Sequence, residues 1–139
     1  MYVHTTHKRV RYGETDQMGY LYYGNYCLLY EIGRVEAFRE LGIRYKYLED
    51  ELKIMMPVIS VESRYIKPAK YDDLLSIKTI LKTLPSKIIH YFFEIFNQEN
   101  ELLHKAEVKL CFVNMITNQM VRPPHYITNK LANYFDQKD

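Results

Sequence analysis

Tryptophan is absent from the 139 residues, and only two of them are cysteine. Cys27 and Cys111 lie far apart with no CxxC spacing, so neither a disulfide framework nor a zinc cluster is expected. Both thiols are expected to stay reduced. The formal net charge is only +2, with acids and bases interspersed, so the basic stripe of a nucleic-acid footprint is missing. The one basic cluster, Lys8-Arg9 with Arg11, falls in a strand-like stretch and reads as a solvated face. No apolar run approaches the length needed to cross a bilayer, and Met1 to His7 lack a signal peptide's apolar core. The expectation is a cytoplasmic chain without membrane insertion. HExxH, GxGxxG, P-loop and GxSxG patterns are all absent, which removes support for metal, nucleotide-cofactor and serine-hydrolase chemistry. His4 and His7, three apart in a strand, point to opposite faces and cannot chelate one ion. His90, His104 and His125 are isolated from one another, and no histidine is expected near the point where the long helix begins.

What the chain has in abundance is tyrosine, 14 residues, within an ordinary soluble composition of 47% hydrophobic and 26% charged residues. Tyrosine joins apolar area to a polar tip, which suits a lined cleft or a wet interface as well as a core. The length fits one domain, 1–139, able to bury about two-thirds of its unfolded surface. Residues 3–12 read as a strand ending before Gly13. Residues 25–41 read as a helix with Tyr26, Leu29, Tyr30, Gly33, Ala37 and Leu41 on one stripe. Gly33 with Ala37 would let that helix approach a sheet closely, and Gly42 would end it. Leu28, Ile32 and Val35 widen its apolar surface toward a second subunit. A polar connection then leads to four strands: 58–67, 74–82, 87–97 and 102–114. In the third, Ile89, Tyr91, Phe93 and Ile95 share a face. In the fourth, Ala106, Val108, Leu110 and Phe112 oppose Lys105, Glu107 and Lys109, the alternation of a half-buried antiparallel strand. Residues 115–122 are turn-rich, and Pro123-Pro124 precedes a short helix with Ile127 and Leu131 inward. The predicted class is α+β, with a long helix packed on one face of a curled antiparallel sheet.

Chemistry concentrates between Tyr12 and Tyr26. Alone, Asp16 reads as a turn aspartate bonding its own backbone. Gly19 frees the chain to turn, and the aromatic run from Tyr20 to Tyr23 would partly desolvate the carboxylate, favouring a general base or nucleophile. Tyr23-Gly24-Asn25 opens the helix, where unpaired N–H groups and the macrodipole suit a developing oxyanion. Gly24 would admit a carbonyl against the backbone, and Asn25 would cap the helix. Ser86-Lys87, after Pro85, reads either as a solvated hairpin end or as a phosphate contact.

Asp16-Gln17-Met18-Gly19 followed by Tyr22-Tyr23-Gly24-Asn25-Tyr26 resembles the active-site segment of hotdog-fold acyl-CoA thioesterases of the 4-hydroxybenzoyl-CoA thioesterase and YbgC-like family. Glu31 and Arg34 match a Glu-x-x-Arg of that group. Tyr65 to Asp73 resembles its second signature, a strand ending in a Pro-Ala turn, and Arg122-Pro123-Pro124 its exit to the C-terminal helix. The resemblance implies a long central helix wrapped by the sheet, a homodimer or homotetramer with sites at the dimer interface, and hydrolysis of an acyl-CoA thioester. It implies Asp16 as the catalytic carboxylate and the N–H of Tyr23 or Gly24 as carbonyl donors. Gly19, Tyr22, Asn25 and Tyr26 would lie around the substrate, with Ser86 and Lys87 near the phosphates of coenzyme A. No metal or other cofactor is implied. Part of the group carries histidine at the position of Tyr23, and the hydroxybenzoyl branch carries tyrosine. A second reading stays open: a hotdog module that holds an acyl thioester, on coenzyme A or acyl carrier protein, with little hydrolysis. A dehydratase-like site, which needs a histidine beside an acid, ranks last.

Overall fold

The computed structural model describes residues 1–135. In chain order the elements are β1 (Tyr2–Arg9), α1 (Tyr26–Glu40), α2 (Tyr45–Asp50), β2 (Ile54–Met55), β3 (Val58–Tyr65), β4 (Leu74–Leu81), β5 (Ile88–Phe96), β6 (Leu102–Asn114), β7 (Gln119–Val121) and α3 (His125–Leu131). The sheet is antiparallel, ordered β1-β4-β5-β6, with β3 along the free side of β6 and the short β2 and β7 at its C-terminal end. The period-2 pattern decides which face is inside. Ile89, Tyr91, Phe93 and Ile95 of β5 are buried, as are Ala106, Val108, Leu110 and Phe112 of β6, while Lys105 and Lys109 face water.

Helix α1 lies on that inner face through Tyr26, Leu29, Tyr30, Gly33, Ala37 and Phe38. Gly33 sets the separation between the layers. A Cβ built there would stand 2.5 Å from Thr79 Oγ1 and 3.0 Å from both Ile77 and Phe93. The helix ends as expected. Gly42 has φ +83°, its N–H donates to Arg39, and the N–H of buried Ile43 reaches back to Phe38 at 2.8 Å. Those two bonds and the apolar residue after the glycine form a Schellman closure. Leu28 stays exposed, and Ile32 and Val35 are half-buried.

Three expectations change. β1 stops at Arg9, because Tyr12–Glu14 form a 3₁₀ turn in which the Glu14 carboxylate accepts the Arg11 N–H at 2.8 Å. The polar connection after Gly42 contains α2 and β2, anchored by buried Leu48 and Ile54. The turn-rich stretch before Arg122 contains β7. These elements are six residues or shorter, too few to show a period.

Replacing Gly33 with alanine gains about 1 kcal/mol of helix propensity but crowds a packed face, where overpacking costs about 1–3 kcal/mol. Gly33→Ala is therefore expected to be less stable in chemical denaturation, and a midpoint at or above the wild-type value would contradict the close approach.

Candidate active site

The Asp16 loop is a small hairpin. Tyr22 N–H donates to Glu14, Thr15 bridges Leu21, and Asp16 N–H donates to Tyr20 at 2.8 Å. The turn closes with Gly19 N–H to the Asp16 carbonyl at 3.0 Å, and Gly19 takes φ +82°, a conformation that costs any L side chain. Asp16 is half-buried, and its Oδ1 accepts the N–H of Met18 at 2.9 Å and of Tyr20 at 3.1 Å. It is thus the turn aspartate that its sequence context suggests. Among the described residues, Oδ2 has no hydrogen-bond donor. Glu14 anchors the base of the hairpin. Burial works against its ionised form, but Lys8 at 2.8 Å and the Arg11 N–H hold its carboxyl below the usual carboxylate range.

One residue past the hairpin, the chain enters a 3₁₀ turn, Tyr23–Asn25, that runs directly into α1. Among the described residues, the N–H groups of Tyr23 and Gly24 have no acceptor, because Asn25 N–H bonds Tyr22 and Tyr26 N–H bonds Tyr23. Pairing of Asp16 with Tyr20 and of Glu14 with Tyr22 sets the carboxylate roughly 7 Å along the hairpin from this turn. Two details differ from expectation. Asn25 does not cap the helix; its Nδ2 donates to the Glu14 carbonyl at 2.9 Å and ties the turn to the hairpin. The face of Gly24 is not bare, since a Cβ there would meet the Tyr22 ring at 2.8 Å. Tyr22 is half-exposed and stacks loosely on Tyr23, with centroids 4.8 Å apart.

A histidine does lie at the start of the helix. His104, on β6, is fully buried, and its ring stacks on Tyr26 with centroids 4.2 Å apart. Tyr65 meets it edge-on at 4.6 Å and donates its hydroxyl to the Tyr23 carbonyl at 3.2 Å. His104 Nε2 shares a hydrogen bond with Tyr30 Oη, which also bonds Ser63 Oγ at 2.6 Å. The alternation that turns Ala106, Val108 and Leu110 inward extends to position 104, so its burial was readable. Its nearness to Tyr26 was not, because strand register and helix docking create it. Tyr26 itself is buried and presents little open surface.

Ser86 and Lys87 are exposed in the β4–β5 hairpin, beyond Leu81 and before Ile88. The Asp16 hairpin is tied to the opposite end of the sheet, through Leu21 N–H to Ala69 and Tyr71 N–H to Gly19. The eight residues of β4 lie between, about 25 Å, so one protomer does not bring these two regions together.

Burial pushes the His104 imidazole down to about 4, against about 6.5 in an unfolded chain. Between those values the unfolded chain binds a proton that the folded chain excludes. Stability therefore falls as the pH drops from about 6.5 toward 4. Denaturation at several pH values is expected to show this acid-side loss in the wild type and a flatter profile in His104→Phe. Parallel profiles would contradict it.

The model of the thioesterase-like superfamily matches residues 10–131. The acyl-CoA thioester hydrolase YbgC of Escherichia coli O6:H1 is 32% identical over 106 residues, 76% of this chain and 78% of that protein. The acyl-CoA thioesterase YbgC of Haemophilus influenzae is 30% identical over 107 residues, 77% of this chain and 78% of that protein. The crystal structure of a DHNA-CoA thioesterase from Staphylococcus aureus superposes with a TM-score of 0.87 at 29% identity, covering 96% of this chain and 89% of that one. With that match over most of its length, and with one long helix cradled by a curled antiparallel sheet, the chain belongs to the thioesterase-like superfamily and has the hotdog fold.

Proposed function

We propose that this protein is an acyl-CoA thioesterase, which converts an acyl-CoA and water to a free acid and coenzyme A. The observation that carries this reading is a half-buried carboxylate on a hairpin that leads into a turn: among the described residues Asp16 Oδ2 has no donor and the Tyr23 and Gly24 N–H groups have no acceptor. The thioester carbonyl would accept from those N–H groups, where the helix dipole adds positive potential as charge develops on oxygen. Asp16 either takes a proton from the attacking water or attacks the carbonyl itself. In the second case the mixed anhydride is then opened by water. In both, the C–S bond breaks, the thiolate leaves and takes up a proton, and the carboxylate is regenerated. Water and the chain's own groups suffice for this scheme, with no cofactor beyond the coenzyme A of the substrate. Gly19 holds the turn that aims Asp16, Asn25 ties the helix start to the hairpin, and the Tyr22 ring covers Gly24. Tyr26 supports the turn from beneath.

The active unit is a homodimer joined along β3. Among the described residues its other edge is unpaired, and its inner face carries Val58, Val61 and Tyr65 at 49%, 43% and 51% exposure, which an isolated chain would leave wet. An apolar edge strand with free backbone groups favours pairing with another strand. An antiparallel pairing of two β3 strands has its two-fold perpendicular to the sheet. The partner's hairpin with Ser86 and Lys87 then comes to the end of the sheet that holds Asp16, about three strand spacings or 14 Å away. The flexible pantetheine arm would cross that distance, leaving the phosphates on Ser86 and Lys87. Pairs of such dimers would give the homotetramer.

Two measurements test this. Asp16→Asn keeps an oxygen for the Met18 and Tyr20 N–H groups, so the hairpin is expected to survive while turnover falls about 10²–10⁴-fold. A thiol-detecting assay over acetyl-, hexanoyl-, palmitoyl- and benzoyl-CoA gives the wild-type preference. Wild-type rates in the variant would sink Asp16, and binding of these thioesters without thiol release would make the protein a carrier module. Val61→Lys is expected to yield monomers by sedimentation and to lose activity with the dimer. A fully active monomer would refute the shared site.

A further inference from the structure

Why a histidine occupies the core at position 104 is not explained by packing. His104 is fully buried, and its Nδ1 has no hydrogen-bond partner among the described residues. A phenylalanine would stack on Tyr26 without leaving a buried nitrogen unpaired. What only a polar ring supplies is the Nε2 bond to Tyr30 Oη at 2.5 Å, continued from Tyr30 to Ser63 Oγ at 2.6 Å. These three residues sit on three elements: β6, α1 and β3. Hydrogen on Nε2 leaves Nδ1 as a bare lone pair in place of an orphaned N–H. The bonds then run in one direction, from Nε2–H to Tyr30 Oη and from Tyr30 O–H to Ser63 Oγ.

We infer that His104, Tyr30 and Ser63 act as one positioning unit for the turn that polarises the substrate carbonyl. This rests on the thioesterase reading proposed above. The link from the unit to the turn is made by two rings. Tyr26, stacked on His104, is the residue whose N–H bonds the Tyr23 carbonyl. Tyr65, edge-on to both His104 and Tyr26, donates its hydroxyl to the same carbonyl. Ser63 and Tyr65 are two residues apart on β3 and share its inner face, so the Tyr30–Ser63 bond sets the strand from which Tyr65 reaches. The Tyr23 carbonyl is thus held from the helix and from the strand, and the peptide that follows it carries the Gly24 N–H. Tyr23 and Gly24 touch substrate in the proposed reaction; His104, Tyr30 and Ser63 do not. They orient those donors.

The test compares His104→Phe, Tyr30→Phe, Ser63→Ala and the His104→Phe/Tyr30→Phe pair with the wild type. Each is assayed on whichever of acetyl-, hexanoyl-, palmitoyl- and benzoyl-CoA the wild type hydrolyses fastest. Misplacing a donor by a fraction of an ångström is expected to lower kcat about 10- to 100-fold, with KM within about twofold. The double variant is expected to lose no more than the worse single one, because residues of one unit are not additive. A merely structural role would lower the melting temperature and leave kcat of the folded fraction unchanged, which overturns the inference. Multiplying losses in the double variant overturn it as well. Should the buried substitutions prevent folding, Ser63→Ala decides, with sedimentation used to compare it as the same oligomer as the wild type: a kcat loss in that oligomer supports the unit, and an unchanged kcat overturns it. A wild type that releases no thiol overturns the thioesterase reading and this inference with it. An active wild type with unaffected variants overturns this inference only.

Discussion

The approach of α1 to the sheet at Gly33 is the constraint on which the rest depends. Thr79, Ile77 and Phe93 occupy the space that a side chain at 33 would need, so helix and sheet are fixed at one separation. A wider separation would carry Tyr26 and Tyr30 away from His104 and β3. The helix start would then lose the contacts that orient it. Close packing of this kind transmits position from a core contact to a surface turn, because neighbouring side chains have no slack to absorb a shift.

Upstream of the helix, one hairpin does two jobs with one carboxylate. Asp16 Oδ1 closes the turn through two backbone N–H groups, while Oδ2 has no donor among the described residues. The structural and the chemical readings of that aspartate are therefore compatible, one for each oxygen. Asn25 shows the same economy differently. Its amide binds the hairpin at Glu14 in place of capping the helix, so the two parts of the proposed site are tied to each other.

Strand β3 is where the proposed dimer would join. Its outer residues, Ser60, Glu62 and Arg64, are polar, and its inner face carries Val58, Val61 and Tyr65 beside Ser63, yet α1 leaves that face exposed. Ser86 and Lys87 lie at the far end of the sheet from Asp16, and their proposed contact with coenzyme A depends on the proposed two-fold at that edge. The proposed dimer accounts for the apolar face and for the distance between Asp16 and Ser86-Lys87 together.

Local sequence determined the long elements and the loop. Tyr26 to Ala37 showed a helical period over three turns, and β5 and β6 alternated over nine and seven residues, so burial alone made them legible. Asp16 and Gly19 announced their turn, because a side-chain oxygen and a positive φ act within four residues. Other features needed the tertiary structure. α2, β2 and β7 are held by docking of single residues such as Leu48 and Ile54, which leaves no period to read. The part played by Asn25 depended on Glu14, eleven residues away. His104 could be placed inside from its alternation, but its union with Tyr30, Ser63 and Tyr26 depends on register between β3 and β6 and on how close Gly33 lets the helix come. Periodicity is a local quantity and the chain carries it openly. The meeting of residues 74 positions apart is set by packing, and packing is decided only when every layer is in place.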